Sequence, residues 1–379
     1  MKRIFLTLLT LLLLLSPTSV LAEGEELCGE AKSVLLMEAS TGKVLYEKDA
    51  DLPLPPASVT KIMTILLVME EIDKGTLKLT DTVQVSDLAS RMGGSQVYLK
   101  AGEIMSVEDL LKSVIVASAN DASTALAEQV AGSVESFVTR MNERAGELGM
   151  TNTHFENPTG LDDSVVDHRT SARDIALMSR ELLKHERVLT YTTIWMDTIR
   201  DGAFGLTNTN RLIRFYQGAN GLKTGSTSRA GFCISATAKR DGMQLIAVVM
   251  GAPTRDVRNE IAKKLLDYGF ASYRTYHTEG ASLGTLPLLG GTVRECPLVC
   301  EGFDALLDKA SAVKGVEAIT VLPKTLHAPI EVGDIVGRID YRCGEEIIGS
   351  VPIRAAASVP RLRFLDLLKR MLSVFFFAK

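Results

Sequence analysis

Directly after Ser58-Val59-Thr60-Lys61 the chain runs Ile62-Met63-Thr64-Ile65-Leu66-Leu67-Val68 without a charge. A helix that is apolar all round has no face for water and must be enclosed by other elements. The run predicts a buried helix. At a three-residue spacing, Ser58 and Lys61 share one face of its first turn. There the ammonium is partly desolvated, which lowers the lysine pKa and lets the amine accept a serine proton. Free N–H groups at the helix start favour the negative charge that develops on a carbonyl oxygen under attack.

The 379 residues leave room for such a core, and the length suits two domains. With 46% hydrophobic and 23% charged residues, disorder, collagen and coiled coil are excluded. A net charge of −4 gives nucleic-acid binding no support. The charge is unevenly spread. Lys2 and Arg3 give 1–22 a charge of +2, and five bases against Asp366 give 361–379 a charge of +4, so 23–360 carries −10.

The ends explain the asymmetry. Met1-Lys2-Arg3, the apolar run Ile4 to Leu15 and the final Val20-Leu21-Ala22 describe a secretory signal peptide cut after Ala22. Cys28 lies six residues beyond that cut, off the position for lipoprotein attachment. In 361–379 a helix would gather Arg363, Asp366, Lys369 and Arg370 on one face, with Leu365, Leu368, Met371, Leu372 and Phe375 opposite. Such a helix lies in a membrane interface and does not span it. Export to the outer face of the cytoplasmic membrane, with 361–379 as a peripheral anchor, is the expected location.

Between the ends, Ser33–Met37 and Val44–Tyr46 read as strands joined by Ser40-Thr41-Gly42-Lys43. Helices are expected over about 58–74, 107–131, 134–148 and 170–184. Two β-rich runs, Ala230–Ala238 and Met243–Met250, flank the turn Arg240-Asp241-Gly242. A last helix over Asp256–Tyr268 stops at Gly269 as its cap. Strands at both ends of a helical middle predict an α+β domain over 23–277, with an antiparallel sheet closed by distant segments. From 278 to 360 the short runs Thr292–Arg294, Ala318–Val321, Asp334–Tyr341 and Glu346–Arg354 predict a small all-β domain. Of the five Cys, Cys233 is expected to be a buried thiol, and Cys296, Cys300 and Cys343 admit one unassigned disulfide.

Five scattered His form no metal-ligand cluster, and no Gly-x-Ser-x-Gly elbow occurs. Three short motifs stand out instead. Ser58-x-x-Lys61 is expected about once or twice by chance, and Ser118-Ala119-Asn120, set in an apolar helical stretch, is equally weak alone. Lys223-Thr224-Gly225 opens a strand pattern and has a chance count of roughly 0.1. Their order and setting make capping serine, satisfied helix Asn and surface strand poor joint explanations.

These residues resemble the acyl-serine superfamily of penicillin-binding proteins and serine β-lactamases, and within it the low-molecular-mass, type-5 D-alanyl-D-alanine carboxypeptidases. The similarity extends to Leu35–Gly42, Pro56–Thr64, Asn157–Asp162, Ser171–Asp174, Asn208–Leu212 and Gly221–Thr227, and Ala328–Gly337 looks like the accessory β domain. The resemblance implies that Ser58 attacks the carbonyl between two D-alanines of a peptidoglycan stem peptide while Lys61 takes its proton. It also implies that Ser118 relays a proton to the leaving amine and Asn120 holds the substrate amide. By the same resemblance Lys223 is expected to supply positive charge, Thr224 to contact the terminal carboxylate, and the Ser58 and Ser226 N–H groups to form the oxyanion hole. β-Lactam antibiotics should acylate the same serine, and no cofactor or metal is needed. Some members carry Arg where this chain has Thr209; if that Arg binds the terminal carboxylate, another cation must substitute, with Arg211 the first candidate.

Two rivals remain at this level. A class A β-lactamase needs Glu-x-x-Leu-Asn, and no Leu-Asn dipeptide occurs. A non-catalytic wall-binding scaffold has no need of nucleophile and base together.

Overall fold

Both faces of the central strands are buried, so helices must cover the sheet from two sides. In the computed structural model, which describes residues 27–163, 165–364, 367 and 368, the chain divides between Gly269 and Phe270 into two units. In the first, β1 (Ser33–Glu38), β2 (Val44–Lys48), β3 (Ala219–Thr227), β4 (Gly231–Arg240) and β5 (Met243–Ala252) form one antiparallel sheet ordered β2-β1-β5-β4-β3. Segments more than 200 residues apart thus close the sheet, with Leu35 of β1 opposite Val248 of β5. The β4–β5 hairpin turns at Asp241 and Gly242, both at positive φ, as a two-residue hairpin turn requires.

The longer helices are α1 (Lys61–Asp73), α2 (Val107–Val116), α3 (Asn120–Ala131), α4 (Val134–Glu147), α5 (Ala172–Leu182) and α6 (Arg255–Ser272). Every residue of α1 from Lys61 to Met69 is buried, as its apolar run demands. Ser106, Ser133 and Ser171 cap α2, α4 and α5, each accepting the N–H three residues on. Leu35 and Met37 face the helical core, while Leu36 meets α6 at Gly269.

Three expectations change in this unit. Residues 57–60 form a 3-10 turn ahead of α1, so Ser58 precedes the α-helix and does not open it. The single helix expected over 107–131 breaks at Ala117–Ala119, with Ser118 at φ +63, because the Ser118 hydroxyl is drawn to Lys223 on β3. Gly269 does not cap α6. The helix runs on to Ser272, and the glycine is there because a Cβ would collide with Leu245.

The second unit is built on strands: β6 (Tyr273–Thr278), β7 (Ala281–Leu289), β8 (Glu295–Cys300), β9 (Phe303–Asp308), β10 (Val316–Val321), β11 (Leu326–His327), β12 (Ile335–Cys343) and β13 (Glu346–Ala355). Six of them form a sheet ordered β10-β12-β13-β8-β7-β11, and β6 pairs with β9. Its core gathers Cys296, Leu298, Ile339, Val351 and Ile353, and the Phe303 and Tyr341 rings stack at 4.2 Å. Thr292–Arg294 is the bend between β7 and β8 and not a strand. Cys233, Cys296, Cys300 and Cys343 are all thiols, so no disulfide joins the second unit's cysteines. The leader at 1–22, residues 365 and 366, and 369–379 of the amphipathic tail lie outside the described residues.

Candidate active site

The 3-10 turn, the α2–α3 break and strand β3 converge on one cleft of about 350 Å³, whose wall includes Ser58, Ser118, Thr224, Gly225 and Ser226. The three sequence motifs therefore meet in space. β3 reaches the turn because residue 225 is glycine: a Cβ there would lie 2.7 Å from the Ser58 nitrogen and 2.9 Å from the Val59 nitrogen.

Lys61 is fully buried, and its Nζ has three neighbours: Ser58 Oγ at 3.0 Å, Asn120 Oδ1 at 2.6 Å and Thr159 O at 2.7 Å. Burial, then the nearby charge of Lys223, hold its pKa well below the usual lysine value against the opposing pull of Asp121. A neutral amine has two N–H groups and one lone pair. In that form the two carbonyl oxygens, which can only accept, would take the hydrogens, and the lone pair would be left for the Ser58 hydroxyl. Ser58 Oγ and Lys61 Nζ thus lie within hydrogen-bond reach of each other, the arrangement that a serine nucleophile and its base require.

Across the cleft, Lys223 Nζ donates to Ser118 Oγ at 2.8 Å and to Thr224 O at 3.1 Å. Burial, helped by the charge of Arg258, lowers Lys223 to about 7. Asn120 is engaged at both ends of its amide, since Nδ2 donates to Gly93 O at 2.7 Å while Oδ1 receives Lys61. Its N–H donates to Ser95 O, which ties the 93–95 loop to the start of α3. Thr224 Oγ1 donates to Thr209 Oγ1 at 2.8 Å. Thr209 thus belongs to the cleft wall.

Arg211 also lines the cleft, exposed and set over the Phe215 ring at 5.9 Å. Sequence reasoning missed Trp195, Arg255 and Arg258 in the same wall. Arg258 is 2% exposed and is held by Asn259 Oδ1 at 2.8 Å and the Cys233 carbonyl at 3.4 Å. Burial lowers even this guanidinium to about 10. The only advance signal for it was an Arg one turn into a helix that follows an apolar strand.

The family model described as D-alanyl-D-alanine carboxypeptidase matches residues 22–254, and that of the penicillin-binding protein 5 C-terminal domain matches 272–361. The D-alanyl-D-alanine carboxypeptidase DacF of Bacillus subtilis (strain 168) is 41% identical over 382 residues, covering 98% of each chain. The structure of penicillin binding protein 5 from Haemophilus influenzae is similar at a TM-score of 0.76 and 31% identity, over 88% of this chain and 98% of that one. Penicillin-binding protein D2 of Listeria monocytogenes, solved in its ampicillin-bound form, is similar at a TM-score of 0.59 and 34% identity, over 64% of this chain and 98% of that one. The chain belongs to the D-alanyl-D-alanine carboxypeptidase family of serine peptidases.

Proposed function

We propose how this carboxypeptidase divides its chemistry. Ser58 Oγ attacks the carbonyl carbon between the last two D-alanines of a peptidoglycan stem and passes its proton to Lys61. The negative oxygen that forms is received by the Ser58 and Ser226 N–H groups. As the C–N bond breaks, Ser118, held by Lys223, relays a proton to the leaving amine. Water then hydrolyses the Ser58 ester and frees the shortened stem. The observation that carries this reading is the 3.0 Å contact of a buried Lys61 amine with Ser58 Oγ. Asn120 positions Lys61 through Oδ1, and with one Nδ2 hydrogen on Gly93 O it offers the other to the substrate amide. Thr224 receives the terminal carboxylate, with Arg258 and Arg211 supplying positive charge in place of the Arg missing at Thr209. β-Lactams should acylate Ser58 in the same pose.

The test is mass spectrometry of the penicillin-treated protein with Ser58→Ala as control. The reading requires an adduct on Ser58 and loss of D-alanine release in a folded variant. An adduct elsewhere sinks it.

Export through 1–22 and a membrane-surface anchor in 361–379 belong to the same proposal. Phe364, Leu367 and Leu368, exposed where the tail begins, support the anchor. Deleting 361–379 should move the protein from the membrane fraction to the soluble fraction. Unchanged fractionation contradicts the anchor.

A further inference from the structure

Beside the four charged and hydroxyl groups of the cleft, His168 is a buried ionisable side chain, 7% exposed, that the reaction as described does not use. Both of its nitrogens are fixed. The Glu156 N–H donates to Nδ1 at 3.0 Å, so Nδ1 is the bare nitrogen. Nε2 therefore carries the hydrogen and donates it to Thr60 Oγ1 at 2.8 Å. Thr60 is buried, two residues past Ser58 and next to Lys61.

The turn that Thr60 ends needs holding. Ala57, immediately before Ser58, sits at φ +49, a region unfavourable for a residue with a side chain. Strain of this kind persists only when the surroundings fix it. The segment from 156 to 168 supplies that. Thr159 O accepts from Lys61, and Pro158 O accepts from Thr64 and Ser123. Gly160, at φ +80, packs so closely that a Cβ would collide with the Ala57 carbonyl. The Glu156 carboxylate closes the segment by accepting the Val166 and Asp167 N–H groups.

We propose that His168 is a positioning residue for Ser58: through Thr60 it clamps the strained nucleophile turn to the 156–168 segment and keeps Ser58 Oγ in line with Lys61. This rests on Ser58 being the nucleophile. The clamp also sets an acid limit. Burial, reinforced by His154 and Lys61 and opposed by Glu156 and Asp162, lowers His168 to about 4. Once protonated, Nδ1–H meets the Glu156 N–H, and two donors cannot bond.

The experiment compares wild type, His168→Ala, His168→Gln and Thr60→Val in full-length chain, by penicillin acylation and by hydrolysis of a peptide ending in D-Ala-D-Ala. Gln restores both an acceptor and a donor but does not titrate. His168→Ala and Thr60→Val should each lower kcat about tenfold with KM nearly unchanged, the loss expected for one hydrogen bond that orders a nucleophile. His168→Gln should recover most of that loss. Wild-type kcat in folded His168→Ala overturns the proposal, as does a Gln variant no better than Ala. If His168→Ala does not fold, full kcat in Thr60→Val overturns it. A wild-type chain whose Ser58 takes no penicillin would instead remove the nucleophile reading.

Discussion

Lys223 Nζ donates to Ser118 Oγ at 2.8 Å, joining the strand at the sheet edge to the break between two helices. The bond explains why Ser118 holds φ +63. It also sets a pH dependence, because burial lowers Lys223 to about 7 and it loses its proton as the pH rises through that value. For a substrate with a free terminal carboxylate, kcat/KM should therefore fall above about pH 7. Lys223→Gln should flatten that limb and lower kcat/KM by roughly 10- to 100-fold, the cost of a bond to a charged group. A pH–rate profile of both proteins checks it.

Burial, then the charge of Lys223, hold Lys61 well below the usual lysine value, the direction that the proposed base requires. Lys61→Arg keeps a long cation but cannot give up its proton. Penicillin acylation should fall by about 10²–10⁴, the usual worth of a general base. Stopped-flow acylation, with circular dichroism to show that the variant folds, measures the loss.

Periodicity and motif order made α1, the β4–β5 hairpin and the Ser58, Lys61, Ser118 and Lys223 group legible, because each is a local pattern. The break at Ser118 was not, since Ala-Ser-Ala is compatible with a helix and the deciding hydrogen bond comes from Lys223 on a distant strand. Strands β7 and β8 were hidden by Pro287 and Pro297, residues that count against a strand. Pro297 is tolerated because β8 pairs with β13 only from Leu298 onward. Arg258 was missed because a charged helix residue is expected to face water, and only the fold turns it into the cleft wall.

That wall separates two candidates for the carboxylate. Arg211 is exposed over Phe215, whereas Arg258 is buried and held by Asn259 and the Cys233 carbonyl. A fixed, desolvated guanidinium attracts a carboxylate more strongly than a solvated one. Arg258→Gln should raise KM for a peptide ending in D-Ala-D-Ala about tenfold or more, and Arg211→Ala by less than about threefold. The same peptide with an amidated terminus should feel neither change. Steady-state kinetics on the two peptides decides it, and a larger effect at Arg211 would reverse the assignment.

Gly225 offers a test that leaves every reacting side chain in place. Its Cα faces the turn, and an added Cβ would lie 2.7 Å from the Ser58 nitrogen and 2.9 Å from the Pro56 carbonyl oxygen. Those atoms are backbone, so they cannot swing aside as a flexible side chain would. Either β3 withdraws from the turn or the turn shifts, and both change the distance between the Ser58 and Ser226 N–H groups. Gly225→Ala should cost about 1–3 kcal/mol of stability, as overpacking does. A displaced oxyanion donor costs about 10²–10³ in rate, so acylation by penicillin should fall far more than stability does. Thermal unfolding and acylation kinetics on one preparation measure both, and a near-normal rate would mean that the N–H pair at Ser58 and Ser226 does not bind the oxyanion.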